Sequence, residues 1–160
     1  MELSGAGNKI VNGSMMYREK IHLLTDAAGT SAISGHSGTL TVGESGTHFI
    51  VPALTSGAQF LTLPSMTGSL GVWYKFTMLG TAAQVFSVKT PTAGHKVILW
   101  EPDGDGTGTK NTFNDMTFLA AALVGASFKI TCISETAATA WLVTDIVKGL
   151  AAGTGEHQGA

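Results

Sequence analysis

Between Val72 and Leu79 the chain alternates without interruption. Val72, Tyr74, Phe76 and Met78 fall on one side, and Trp73, Lys75, Thr77 and Leu79 on the other. A period of two over eight residues predicts a β-strand with one face on a core. Similar short runs recur at Thr39–Val42, Thr47–Val51, Gln59–Leu63, Val85–Thr90, Lys96–Trp100, Asp115–Leu119, Ser127–Ser134 and Ala140–Val147. Gly, Pro, Asn or Ser separates most of them. Nine short strands with no long helical pattern between them predict an all-β fold, an antiparallel β-sandwich or barrel of jelly-roll-like type. The expected inward set is Phe49, Leu61, Leu63, Tyr74, Phe76, Phe86, Val88, Phe128, Ile130, Trp141 and Val143. No internal repeat of the kind that marks a propeller or solenoid is evident.

The ends read differently. Residues 1–38 are expected to form an N-terminal arm and loop. Met1 to Ser14 is rich in Gly, Asn and Ser around a brief Lys9-Ile10-Val11, which suits an adhesion arm able to pair with a neighbour's sheet edge. Met15 to Thr25 mixes helical and alternating spacing and is taken as extended. Asp26 to Gly38 is small and polar, hence a loop. Residues 39–147 form the β-domain. Ala120 to Val124 fits a helical turn or part of a strand. Residues 148–160 show no periodicity and are expected to be a flexible tail.

Composition narrows the function classes. At 160 residues the chain suits one domain. Only 12% of residues are charged, about half the usual fraction. Such a deficit predicts a surface largely covered by other copies or by a partner. A net charge of −2 with scattered basic residues gives no footprint for nucleic acid or an anionic membrane. The lone Cys132 alternates with Phe128 and Ile130, so it reads as a small core residue rather than a reactive thiol. The start, Met1-Glu-Leu-Ser-Gly5, lacks the basic and apolar stretches of a secretory signal, so synthesis in the cytoplasm is expected.

Candidate chemistry is thin. Asp103 and Asp105, between Glu101 and Lys110, have the alternate spacing of the first oxygens of a calcium loop. No acid follows at the twelfth position, and a Gly-rich hairpin tip explains the same residues. His22, His36, His48, His95 and His157 show no metal-ligand spacing. Ser37 and Ser45 do not sit in a nucleophile elbow, and no phosphate loop is present. Carboxylates that converge only in space, as in a polysaccharide hydrolase, leave no mark in the sequence. The expectation is therefore no enzyme, no metal and no cofactor. Trp73 points away from the Tyr74 face, and Trp73 and Trp100 are candidate interface aromatics. Stacking on a saccharide is their sharper alternative.

Three segments carry a resemblance: Thr39-Leu-Thr-Val-Gly-Glu-Ser-Gly-Thr-His-Phe49, Phe60-Leu-Thr-Leu-Pro64 and Gly71-Val-Trp-Tyr-Lys-Phe-Thr77. With the ending Trp141-Leu-Val-Thr-Asp-Ile-Val-Lys-Gly149, longer than usual, they resemble the small head decoration, or cement, proteins of tailed bacteriophages. The resemblance covers about Thr39 to Gly149. It implies a virion protein on the outer capsid surface, assembled as a homotrimer, that clamps the major capsid protein and catalyses nothing. Similar β-domains occur in tail fibres, which keeps open a receptor-binding domain that contacts host glycans.

Overall fold

The computed structural model describes residues 8–11, 14–17, 20–27, 31–80, 83–92, 95–101, 109–118, 122, 124–136, 139–147 and 157–158. Their strands in chain order are β1 (Asn8–Val11), β2 (Ser14–Tyr17), β3 (Lys20–Leu23), β4 (Ser31–Ala32), β5 (Thr47–Val51), β6 (Gln59–Thr62) and β7 (Trp73–Met78). Then come β8 (Phe86–Lys89), β9 (Lys96–Glu101), β10 (Thr109–Phe113), β11 (Asp115–Phe118), β12 (Ser127–Cys132), β13 (Thr139–Val147) and β14 (His157–Gln158). Among the described residues the helical content is one 3-10 turn, Val42–Glu44. A seven-stranded sheet runs β10-β9-β13-β12-β7-β5-β3, a five-stranded sheet runs β14-β11-β8-β6-β4, and β1 and β2 form a separate hairpin.

The expected all-β class is observed, as two sheets around one core and not as a closed barrel. The antiparallel expectation holds for only part of it. From β3 to β8 the chain alternates between the sheets with every strand, so neighbours within a sheet run the same way. β3, β5 and β7 are parallel in the large sheet, and β4, β6 and β8 in the small one. The winding has a regular step: Lys20 lies beside Thr47 and Thr47 beside Tyr74, each 27 residues on. A coil of this kind was not anticipated, because side-chain alternation is the same whichever way a neighbour runs. From β9 onward the pairing is antiparallel except for β13 on β9.

Other differences are local. Thr39–Val42, expected as a strand, provides an isolated bridge at Thr39 and the start of the 3-10 turn. Lys20–Leu23 lies in the segment read as extended and is a strand of the large sheet, while Ser31–Ala32, read as loop, is a strand of the small one. β10 was missed, and the expected tail contributes β14, paired with β11. Ala120, Ala121 and Leu123 of the ambiguous Ala120–Val124 segment lie outside the described residues.

Every residue of the expected inward set is buried. β5 and β7 alternate buried and half-buried positions, and β12 does so from Phe128 onward. Phe76 of the large sheet sits at the centre. Its ring lies 5.4 Å from Phe49, 5.2 Å from Phe128 and 6.0 Å from Phe86 of the opposing sheet. Phe118 and Phe128 meet across the same gap at 4.9 Å. Burying this aromatic area is the main stabilising contribution, with offset and tilted ring pairs adding to it. A bulge bends β13, where Asp145 takes φ 53° and the register with β12 shifts between Ser127 and Lys129. At Gly80 a Cβ would lie 2.7 Å from the Cβ of Ala53, so only glycine fits this close approach.

Candidate interaction surfaces

Two polar clusters on the large sheet have opposite characters. The first is built by the loop between β4 and β5. His36 has a side chain only 5% exposed, and its Nε2 lies 2.6 Å from Glu44 Oε1. The amide of Gly38 donates to His36 Nδ1 at 3.2 Å. Nδ1 therefore accepts, and Nε2 carries the proton it gives to the carboxylate. The other carboxylate oxygen accepts from the Thr41 amide at 2.8 Å and the Thr41 hydroxyl at 2.7 Å. Burial opposes the charge on Glu44, but the bonds from Thr41 and His36 outweigh it and hold the acid below its ordinary pKa of 4.5. Tyr74 closes the cluster, donating its hydroxyl to the Thr41 carbonyl at 2.7 Å. Burial first, and the Glu44 charge second, raise the phenol well above its ordinary value. The His22 ring packs on His36 and Phe49, and its Nε2 bonds to the Gly35 carbonyl at 2.8 Å. Among the described residues, the hydrogen-bond partners of the histidine–carboxylate pair, Gly38 and Thr41, belong to the same loop and fix it.

The second cluster is the outer face of the same sheet. Register places Ile21, His48, Lys75, Lys129 and Thr144 side by side across β3, β5, β7, β12 and β13. Lys75 and Lys129 are directly opposite one another. The Lys129 ammonium stands 4.6 Å from the centre of the Trp73 ring, and His48 Nε2 lies 2.8 Å from the Thr77 hydroxyl. Neither lysine forms an ion pair among the described residues. At the free edge Ile21 and Leu23 are 69% and 66% exposed.

The other sequence candidates resolve one by one. Lys9, Ile10 and Val11 lie in β1, paired with Met16, Met15 and Ser14 of β2, and this hairpin joins neither main sheet. Trp73 is half-buried on the outer face beneath Lys129. Trp100 lies in β9, opposite Lys110 of β10. Cys132 is buried, its thiol pKa raised by that burial, and it donates to the Ser134 carbonyl at 3.4 Å. Ser37 donates to the Thr39 carbonyl and Ser45 accepts from the Trp73 amide, so both serve local structure. Asp103 and Asp105, the calcium-loop candidates, lie outside the described residues. Among the described residues no three His, Cys, Asp or Glu side chains gather as a metal site. Nor, among the described residues, is any helix long and apolar enough to cross a membrane.

Sequence reasoning missed the Lys75–Lys129 juxtaposition. The two residues are far apart in the chain, and only the β7–β12 register brings them together. No known protein-family model and no curated protein matches the chain.

Proposed function

We propose that this chain is a structural virion protein that binds the outer surface of a tailed-bacteriophage capsid as a homotrimer and stabilises the assembled shell. Its partners in this reading are the major capsid protein and two further copies of itself. The observation that carries it is the β1–β2 hairpin, which among the described residues pairs with neither main sheet and lies two residues before the edge strand β3. An isolated two-stranded hairpin is marginal in water, so it suits an arm completed by a neighbour. The low charge supports the same reading, as does a polar cluster spent on holding a loop. Binding to the assembled shell alone stabilises it by about RT ln(1 + [L]/Kd) per site. Trimeric attachment adds avidity, because contacts after the first become intramolecular. The Lys129 ammonium on the Trp73 ring weighs against glycan stacking there.

The test is removal and add-back. Particles lacking the chain should assemble but release DNA at a lower temperature, and purified protein should restore resistance up to a fixed stoichiometry. Depleted particles that are equally robust but fail to adsorb to cells would replace this reading with the receptor-binding one.

A further inference from the structure

We infer that the outer face of the seven-stranded sheet is the docking surface for a protein partner that brings carboxylates to Lys75 and Lys129 and apolar side chains to Ile21 and Leu23. The inference rests on the capsid-binding reading and names the face and the chemistry of the contact.

Like charges directly opposite on neighbouring strands destabilise a sheet. Lys75 and Lys129 hold that relation with no described carboxylate to relieve it, in a chain whose net charge is negative. The acid nearest in register is Asp145, one residue beyond Thr144. It sits in the β13 bulge and makes no ion pair with Lys129. The other lysines whose side chains are described have contacts within the chain, as Lys129 has with Trp73. Lys89 lies 4.1 Å over the Phe60 ring, Lys96 bonds to Asn114, and Lys20 bonds to the Gly43 carbonyl at 3.1 Å. Lys75 and Lys129, neither of them in an ion pair among the described residues, thus stand together on a sheet face that ends in the exposed apolar residues Ile21 and Leu23.

Charge complementarity selects an anionic partner, and the apolar border selects the class. Phosphates or uronates would satisfy the lysines and leave Ile21 and Leu23 in water. A protein surface that is apolar opposite β3 and acidic opposite β7 and β12 covers both. Among the described residues β3 is an edge strand, which adds a place for strand pairing that nucleic acid does not use.

Binding of purified chain to capsids assembled without it tests this, with Lys129→Gln set against Lys89→Gln, a lysine of the five-stranded sheet that also lies over an aromatic ring and whose loss changes net charge equally. The outer-face variant should bind at least about tenfold more weakly and with a shallower salt dependence, as expected for lost cross-interface charge pairs. The control should bind within about twofold of the parent, since Lys89 lies on the five-stranded sheet, away from that face. Urea midpoints confirm that both variants fold. Equal affinity of the parent and the outer-face variant overturns the docking face and leaves the capsid reading standing. No capsid binding by the parent overturns both. Tight, lysine-dependent binding to duplex DNA or heparin, titrated in parallel, would assign the face to an anionic polymer and overturn the protein partner.

Discussion

The two polar clusters of the large sheet differ in how their charge is met. Around His36 and Glu44 the acceptors and donors find partners no more than 33 residues away in the chain, and the loop between β4 and β5 is fixed by them. On the outer face Lys75 and Lys129 are register partners across β7 and β12 without a described counter-charge, and the Lys129 ammonium lies over the Trp73 ring. Internal polar groups that serve structure are closed by the fold, because an unmet buried partner costs about 1–3 kcal/mol. A repulsive surface pair costs only a few tenths to about 1 kcal/mol, so a chain can carry one where an external partner meets it.

The comparison can be broken most severely through the core that both clusters share. Phe76→Ala should lower unfolding free energy by about 3–5 kcal/mol in urea titration, because its ring contacts both sheets. A loss below 1 kcal/mol would show that the two sheets are not packed as described. Gly80→Ala should cost about 1–3 kcal/mol, since its Cβ would overlap that of Ala53. A neutral effect would mean that the β5–β6 connection yields freely.

Glu44→Gln probes the closed cluster. An amide cannot accept from both His36 and Thr41, so we expect a loss of about 1–2 kcal/mol near neutral pH. The folded pKa of Glu44 lies below 4.5, so its contribution is fully present above that unfolded value and lost as pH falls through the folded one. The variant should therefore show a shallower fall in stability below about pH 4.5. The slope should not vanish, because Asp26 is also held low, first by the Thr55 hydroxyl and then by the Thr55 amide. An unchanged acid limb would remove Glu44 from the account.

The smallest effect has the opposite sign. Lys75→Gln removes the like-charge pair and should stabilise the isolated protein by about 0.2–1 kcal/mol at low salt, with the gain shrinking as salt screens the repulsion. Destabilisation of that size would show that Lys75 is tied down inside the chain after all, and the contrast between the clusters would collapse.

The strands whose alternation is strict were legible in the sequence. The Trp73–Met78 strand and its inward partners Phe49, Phe86 and Phe128 follow from period two alone, because a half-buried strand writes its burial into neighbouring residues. Strand direction was not legible. The coil from β3 to β8 sets like-directed strands side by side at a step of 27 residues in the large sheet, and the intervening loops share no turn chemistry that would betray it. β4 was hidden by its length of two residues. Of the candidate surface, Trp73 was found from its phase in β7. Lys129 escaped notice because its relation to Trp73 and Lys75 exists only across the β7–β12 pairing.

The central claim is that this chain is a capsid-bound structural protein, and the most direct measurement is a cryo-electron microscopy map of virions whose genome encodes it. The account predicts three copies around local three-fold positions on the outside of the shell, with the outer face of the seven-stranded sheet against coat protein. Density for the chain confined to the tail or its fibres, with a bare outer shell, would contradict it.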